Sequence, residues 1–225
     1  NANQMRTRIL IKIVEKFLQG RFAEADRIPL ELRPKGGDIS RCCIYKDRAI
    51  LKYRCMASMG FAPEDETDEL TSLKEYGERA LERTEHAVNK LSVITDACSG
   101  CIRSRYLVTD ACRGCFAQPC QVNCPKQAIT IVNGRSTIDP DKCISCGRCQ
   151  DVCPYHAVIR VPIPCEEACP VGAITKDEAG KEHIDPEKCI LCGKCLQSCP
   201  FGAIVEMSQM VDVLKLLADE NKKVV

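Results

Sequence analysis

The chain has 225 residues, in which 32 lysines and arginines balance 31 aspartates and glutamates. This neutral charge argues against a nucleic-acid partner, which calls for a basic face. The polar start NANQMRTR and the lack of any apolar run long enough to span a bilayer predict a cytoplasmic protein without a signal peptide or a membrane span.

Cysteine is the most informative residue type, with 19 copies in the chain. In a reducing compartment this density indicates metal binding or catalysis rather than disulfide bridges. Residues 1–95 contain three cysteines, residues 96–205 contain the other 16, and residues 206–225 contain none. We therefore predict a mostly helical N-terminal region, a metal-binding domain, and a C-terminal helix with a linker, with these boundaries.

The N-terminal region is predicted to be helical with one hairpin. Apolar residues recur at helical spacing from Leu10 to Leu18, and Gly20 supplies a C-terminal stop. The segment CCIYKDRAILKYRC alternates well enough to predict two strands. A long helix is predicted after the acidic segment APEDETDE. Its apolar stripe, which we interpret as core packing, is Leu70, Leu73, Gly77, Ala80, Thr84, Ala87, Leu91 and Ile94.

The C-terminal segment is predicted to form a short amphipathic helix that carries Val211, Leu214 and Leu217. The final letters NKKVV run into an apolar pair that is typical of the start of a strand. We therefore expect this segment to lead toward a further domain of a longer protein.

Two segments carry the complete pattern C-x2-C-x2-C-x3-C-P, and a third carries the near variant C-x2-C-x4-C-x3-C-P. In this pattern three thiolates of a tight loop hold three irons of one [4Fe–4S] cube, and the fourth cysteine ligates the other cluster of a pair. Three motifs therefore leave one unpaired. The complete motifs are Cys143, Cys146, Cys149 and Cys153, and Cys189, Cys192, Cys195 and Cys199; the variant is Cys112, Cys115, Cys120 and Cys124.

The missing motif is present in two pieces. DACSGC at residues 96–101 repeats in DACRGC at residues 110–115, and PCEEACPVGAI at residues 164–174 resembles PCQVNCPKQAI at residues 119–129. These repeats define a further variant motif, which is interrupted by an insertion of residues from about 102 to 163. Its members are Cys98, Cys101, Cys165 and Cys169.

The predicted fold is α+β, with the helical N-terminal region and its hairpin followed by two nested bacterial-type 2[4Fe–4S] ferredoxin-like units. The inner unit is residues 112–153, and the outer unit is residues 98–101 plus 165–199. The pattern of strand, glycine turn, strand and Asp-Pro that follows Cys124 recurs after Cys169, which supports this pairing.

Exchange of the fourth ligands within each unit predicts four [4Fe–4S] clusters and uses all 16 thiols. Zinc is the alternative for paired CxxC segments, but a zinc site needs neither the third cysteine nor the Cys-Pro ending. The predicted ligands, for clusters 1 to 4 in order, are Cys112, Cys115, Cys120 and Cys153; Cys143, Cys146, Cys149 and Cys124; Cys98, Cys101, Cys165 and Cys199; and Cys189, Cys192, Cys195 and Cys169.

Three cysteines and the histidines stay outside this scheme. Cys42, Cys43 and Cys55 are either a further metal or redox site or packed thiols on the predicted hairpin. We favour packing, because no histidine is near them in the sequence and cysteine packs as a small hydrophobe. His156 follows a Cys-Pro turn, and we interpret it as a solvated or packed imidazole.

The order of the cysteines from Cys98 to Cys199, the segment RCCIYKDRAILKYRCMASMGF at residues 41–61 and the ending NKKVV resemble the N-terminal accessory region of group B [FeFe]-hydrogenases over essentially the whole chain. The ferredoxin motifs occur in many proteins, so the N-terminal segment and the ending carry this resemblance. It implies that the clusters relay electrons to a following catalytic domain that interconverts protons and dihydrogen. Because the chain ends before a segment that would hold the active centre, we expect that it is not itself the catalyst.

Three functions are therefore compared. The first is the relay part of an [FeFe]-hydrogenase, with a soluble ferredoxin or flavodoxin carrier and the catalytic hydrogenase domain of the parent chain as partners. The second is a separate polyferredoxin subunit, similar to the electron-transfer subunits of molybdenum oxidoreductases, which share the variant motif. The third is a structural or sensing module in which the clusters do not transfer electrons.

Overall fold

The computed structural model describes residues 2–37, 41–88, 90–101 and 106–220. The predicted start of a strand at NKKVV lies outside the described residues. The chain folds into two compact units. Unit 1 is Asn1–Ser99 together with Ala168–Val225, and unit 2 is Gly100–Glu167.

Short helices and two-stranded ribbons make up the architecture, in agreement with the predicted α+β class. The helices are α1 (Ala2–Leu18), α2 (Ile28–Leu32), α3 (Ile44–Ser58), α4 (Leu73–Glu82), α5 (Pro119–Val122), α6 (Arg148–Asp151), α7 (Pro164–Ala168), α8 (Lys194–Ser198) and α9 (Met210–Ala218). The strands are β1 (Leu91–Val93), β2 (Tyr106–Val108), β3 (Ile129–Val132), β4 (Arg135–Ile138), β5 (Val158–Arg160), β6 (Ile174–Lys176), β7 (Glu182–Ile184) and β8 (Ile204–Glu206).

The strands pair antiparallel as β1–β8, β2–β5, β3–β4 and β6–β7. The ribbons β3–β4 and β6–β7 are the two strand–turn–strand segments predicted after Cys124 and Cys169, and both predictions are confirmed. No helix of the described residues is long and apolar enough to cross a membrane.

The N-terminal helices pack around one apolar core. Ile9 and Ile13 lie one turn apart on α1 and are buried in the same cluster as Leu51 and Met56 of α3. Helix α1 ends at the predicted position, because Gly20 adopts a left-handed φ of +66° that favours glycine.

The predicted hairpin at CCIYKDRAILKYRC is wrong, because this segment forms helix α3. The helix begins at an N-cap in which the Cys43 Sγ accepts a hydrogen bond from the Lys46 N–H at 3.4 Å. Further along, Leu51 and Cys55 are buried four residues apart, a spacing that places them on one face of a helix. Packing of this face against the core decides the conformation in favour of the helix.

The predicted long helix is shorter than its apolar stripe. Helix α4 begins at Leu73 after Ser72, whose hydroxyl accepts the Glu75 N–H at 3.2 Å in a capping box. Leu70 therefore lies outside the helix and is 89% exposed. The helix ends at Glu82, and the chain then reaches strand β1 instead of continuing the stripe.

The predicted C-terminal helix is confirmed as α9. Val211 and Leu214 are buried, whereas Leu217 of the same predicted stripe is exposed. Just before α9, the Ser208 N–H donates to the Ala57 carbonyl of α3 at 2.8 Å. The N-terminal helices and the second half of unit 1 therefore share one body.

A buried ion pair holds α9 to the segment that follows α4. The Arg83 guanidinium donates two hydrogen bonds of 2.8 Å to the Asp212 carboxylate, which also accepts the Ala87 N–H at 3.1 Å. Burial alone raises the pKa of the Asp212 carboxyl, but the Arg83 and Ala87 donors hold this pKa below its usual value. The pair therefore stabilises the fold above the unfolded pKa of Asp, about 3.9, and its contribution is lost as the pH falls through the lower folded pKa.

We expect Asp212→Asn to lower the Tm of the anaerobically prepared chain by roughly 10 °C at neutral pH, because removal of one partner leaves a buried guanidinium unpaired. The difference from the unmodified chain should shrink as the pH falls through the lowered folded pKa of Asp212, because the carboxyl group is protonated in both folded and unfolded chains below that pKa. Glu78→Gln is the matched control, since it breaks the exposed Lys74–Glu78 pair and should cost less than about 1 kcal/mol. Equal Tm losses in both variants would contradict this account.

Candidate metal centres

The first candidate centre is a concave space of about 330 Å³ in unit 2, which we call hollow 1. Cys112 and Cys115 line it from one loop, Cys120 lines it from α5, and Cys153 lines it from the turn after α6. Hydrogen bonds, chiefly from the Ser136 backbone N–H, lower the pKa of the Cys112 thiol. Hollow 1 thus brings together the four ligands predicted for cluster 1.

The second candidate centre, hollow 2, is a concave space of about 360 Å³ in the same unit. Cys143 and Cys146 line it from one loop, Cys149 lines it from α6, and Cys124 lines it from the turn after α5. Burial raises the pKa of the Cys149 thiol, and the charges of Cys143 and Cys146 raise it further. Hollow 2 brings together the four ligands predicted for cluster 2.

Each hollow exchanges one cysteine with the other. Cys124 is the last cysteine of the motif whose other three thiols line hollow 1, but Cys124 itself lines hollow 2. Likewise, Cys153 is the last cysteine of the motif whose other three thiols line hollow 2, but Cys153 itself lines hollow 1. The ribbons β2–β5 and β3–β4 carry these turns toward the opposite loop, and Ile129 and Val158 pack with Cys120 and Cys149 in one core.

The thiols surround a space and do not converge on a point. Among the described residues, no three His, Cys, Asp or Glu side chains stand close enough together to hold a single metal ion. Four thiols that line one hollow without converging on a point fit a polynuclear cluster, in which each sulfur binds a different iron.

The last cysteine of each motif has the same backbone environment in both units. Its Sγ accepts a hydrogen bond from the N–H four residues later, and the third residue after it has a positive φ, whether it is glutamine, histidine or glycine. The bonds are Ala128 to Cys124 at 3.3 Å, Ala157 to Cys153 at 3.4 Å, Ala173 to Cys169 at 3.2 Å and Ala203 to Cys199 at 3.4 Å. Such N–H groups stabilise the negative charge of a ligated sulfur.

The first loop of each motif also repeats one conformation. In every C-x2-C pair that opens a motif, the residue just before the second cysteine is left-handed, with φ between +55° and +61°. These residues are Gly100, Gly114, Ser145 and Leu191. Glycine adopts this conformation without strain, while serine and leucine do so only where the surrounding structure imposes it.

The cysteines of unit 1 have their own electrostatic contact. Burial raises the pKa of the Cys195 thiol, and the charges of Cys189 and Cys169 raise it further. Two of the other ligands predicted for cluster 4 therefore act on Cys195 through space, and one of them, Cys169, comes from the other motif.

The ligands predicted for cluster 3 are divided between the units. Cys98 and Cys199 belong to unit 1, whereas Cys101 and Cys165 belong to unit 2, so this set remains a prediction. Within unit 1, β1 leads to Cys98 and β8 follows Cys199, and the two strands pair. The Ile94 N–H donates to the Ala203 carbonyl at 2.8 Å beyond the end of the ribbon.

Unit 2 contains a similar arrangement around hollow 1. Strand β2 leads to Cys112, β5 follows Cys153, and the two strands pair. The Thr109 N–H donates to the Ala157 carbonyl at 2.7 Å, in the position that the Ile94–Ala203 bond has in unit 1. The acceptor is the fourth residue after Cys199 and after Cys153, whereas the donor precedes Cys98 by four residues and Cys112 by three, so the two arrangements are similar but differ by one residue.

The remaining cysteines lie on or beside α3 and not on a hairpin. Cys55 is fully buried, and burial raises the pKa of its thiol. The Cys43 thiol caps the helix, and its pKa is lowered chiefly by the Lys46 N–H. Cys42 is exposed, with its Sγ 4.0 Å from that of Cys43. His156 is exposed, in agreement with the interpretation of a solvated imidazole.

Sequence reasoning missed polar side chains around the thiols. The Ser136 Oγ lies 3.3 Å from the Cys120 Sγ in the buried part of β4. The only sequence signal for this contact is a serine in the predicted strand segment that follows the cysteine motif. Arg41, Arg54 and Lys181 contact the turns of unit 1 from distant positions, and no local pattern indicates them.

Comparison with known proteins agrees with this geometry. Residues 164–203 match the 4Fe-4S dicluster domain family, and residues 136–159 match the 4Fe-4S binding domain family. Over 44 residues, 19% of the chain, it is 43% identical to one subunit of the Na(+)-translocating ferredoxin:NAD(+) oxidoreductase complex of Acetobacterium woodii, and it covers 13% of that subunit. Over 60 residues, 25% of the chain, it is 37% identical to an uncharacterised ferredoxin of Methanocaldococcus jannaschii, of which it covers 40%.

The chain thus spans less than half the length of either relative, and the matches lie in segments of 24 to 60 residues. They support the metal-binding domain and leave the N-terminal region unmatched by these families. The chain contains ferredoxin-type 4Fe–4S domains, and its function at this level is electron transfer through them.

Proposed function

We propose that the chain is an electron-transfer module that holds four [4Fe–4S] clusters, each bound by three thiols of one motif and one thiol of the paired motif. The observation that carries the proposal is the exchange of Cys124 and Cys153 between hollow 1 and hollow 2. A two-cluster ferredoxin needs this exchange, because the fourth cysteine of each motif points away from its own loop. A pair of zinc knuckles does not need it.

The same proposal extends to the outer unit. Its four ligand positions for cluster 4 are Cys189, Cys192, Cys195 and Cys169, and those for cluster 3 are Cys98, Cys101, Cys165 and Cys199. The repeated N–H···S bonds at Cys169 and Cys199 and the left-handed residues Gly100 and Leu191 support this extension, because they are the features found around hollows 1 and 2.

A nested arrangement follows from this assignment. Unit 2, which contains clusters 1 and 2, interrupts the sequence of unit 1 between Ser99 and Ala168. The interruption lies inside the split motif, between its first cysteine, Cys98, and its fourth, Cys169. We therefore propose that one ferredoxin-like unit is inserted into another.

The residues of the chain prepare each site for a redox-active group. A bound [4Fe–4S] cluster takes up and releases one electron. The thiols hold the irons, and the N–H groups of Ala128, Ala157, Ala173 and Ala203 offset negative charge on the fourth sulfur of each motif.

Two biological settings fit the module. The resemblance of residues 41–61 and of the ending favours the relay part of a group B [FeFe]-hydrogenase, with a catalytic domain after Val225 and a soluble ferredoxin or flavodoxin as carrier. The similarity to one component of a ferredoxin:NAD(+) oxidoreductase complex and to a ferredoxin favours a separate electron-transfer subunit. The reading frame beyond Val225 separates these settings: catalytic cysteine motifs support the relay, and a stop codon supports the separate subunit. We propose a cytoplasmic location for either.

We expect about 16 irons per chain after anaerobic reconstitution, and reversible one-electron reduction of all clusters at low potential. Iron analysis combined with a redox titration followed by paramagnetic resonance measures both quantities. A content of about eight irons per chain would mean that one of the two ferredoxin-like units holds no clusters. Clusters that cannot be reduced reversibly would instead favour the structural or sensing module.

One glycine of the first loop permits the close packing around hollow 1. Gly114 lies between Cys112 and Cys115 with a φ of +56°, and a Cβ at this position would stand 2.0 Å from the Gly134 carbonyl oxygen. No side chain can be accommodated there, because the obstacle is backbone. Gly134 itself also has a positive φ, +74°, but a Cβ on it would meet nothing within 4 Å.

We therefore expect Gly114→Ala to lose the iron of cluster 1, since the loop that holds two of its thiols must move. Gly134→Ala is the matched control: it imposes backbone strain of only about 1 kcal/mol and should keep the full iron content. Iron analysis and the paramagnetic resonance spectrum compare the two variants. Full iron in Gly114→Ala, or equal loss in both variants, would count against cluster 1 in hollow 1.

A further inference from the structure

Cationic side chains of unit 1 reach the backbone turns that carry Cys98 and Cys199. The Arg41 guanidinium donates one hydrogen bond to the Ala97 carbonyl at 3.3 Å and another to the Phe201 carbonyl at 2.8 Å. Arg41 thus joins the residue before Cys98 to the turn after Cys199.

Arg54 and Lys181 make contacts of the same kind. The Arg54 guanidinium donates to the Gly202 carbonyl at 2.5 Å, and the Lys181 ammonium donates to the Cys98 carbonyl at 2.6 Å. Arg54 lies on α3 and Lys181 lies just before β7, so the cations approach from different elements. Arg41, Arg54 and Lys181 together are called the cationic cradle.

The cradle interacts electrostatically with a predicted ligand. Arg54 is half-buried. Burial lowers the pKa of its guanidinium and the neighbouring Arg41 lowers it further, whereas Cys199 raises it. The acidic side chain of α3, Asp47, lies 3.6 Å from the Arg33 guanidinium at the other end of the helix. Three cations therefore contact the two cysteine turns, and Asp96, the acidic residue two positions before Cys98, has an exposed side chain.

We propose that the cationic cradle raises the reduction potential of the cluster to which Cys98 and Cys199 contribute. The inference rests on the proposed four-cluster function. Reduction adds one negative charge to a cluster, and positive charges at partly buried positions stabilise that charge more than exposed ones do. The protein sets cluster potentials through net charge, hydrogen bonds and solvent exposure, and the cradle acts through the first of these.

Hollow 1 provides a contrast. Arg135 lies near Cys112, but its guanidinium is exposed and pairs with Asp110 at 2.5 Å. Its charge is therefore compensated and screened by water. The cradle gives the N-terminal region a role in electron transfer in addition to packing.

Replacement of Arg54 by glutamine removes the charge and keeps a hydrogen-bond donor. In an anaerobic redox titration followed by paramagnetic resonance, we expect Arg54→Gln to shift the midpoint potential of one cluster to more negative values and to leave the others unchanged. The Cys199→Ser variant identifies that cluster, because the loss of a proposed ligand alters the paramagnetic resonance signal of the same cluster. Arg54→Lys keeps the charge and should keep the potential close to that of the unmodified chain.

Arg27→Gln, which removes an exposed arginine of the short 3-10 segment before α2, is the control and should leave every potential unchanged. Arg41→Gln and Lys181→Gln test the same charge effect if Arg54→Gln binds less iron. Unchanged potentials at full iron content, or equal shifts in Arg54→Gln and Arg54→Lys, would contradict the proposed effect of the cationic cradle on the cluster potential. Either result would leave the four-cluster function intact. If the unmodified chain shows no paramagnetic resonance signal that Cys199→Ser alters, the proposed function itself is contradicted.

Discussion

The closure of each hollow by a thiol from the other motif is the constraint on which unit 2 depends. Cys153 must return to the loop of Cys112, and Cys124 must reach the loop of Cys143. The antiparallel ribbons supply these returns, since a two-stranded ribbon brings the ends of two distant segments together. The core between the hollows contains the thiols themselves beside a few aliphatic side chains, so we expect metal binding and folding of this unit to be coupled.

Unit 1 combines the same ferredoxin pattern with a helical body. Its ribbon β1–β8 places Cys98 and Cys199 as β2–β5 places Cys112 and Cys153. The helices add an ordinary apolar core, a buried ion pair and the cations that contact the cysteine turns. One body thus joins a region stabilised by side-chain packing to a region whose thiols are the proposed ligands.

The sequence predicted the parts of the fold that local rules determine. Cysteine spacing and the strand–glycine–strand pattern are local, and the structure contains ribbons β3–β4 and β6–β7 and both hollows of unit 2 where the motifs indicate. The segment around Cys43 and Leu51 was misjudged, because its apolar residues fit a strand or a helix over so short a range and tertiary packing made the choice. The contact between Arg54 and Gly202 joins residues 148 positions apart, so no local pattern could indicate it.

The central claim is that the fourth ligand of each cluster comes from the paired motif. Spectra of single cysteine variants test it most directly, with Cys115→Ser marking the cluster of hollow 1 and Cys146→Ser marking that of hollow 2. The account predicts that Cys153→Ser alters the same paramagnetic resonance signal as Cys115→Ser and leaves the signal marked by Cys146→Ser intact. A Cys153→Ser spectrum that matches Cys146→Ser would contradict the exchange of ligands.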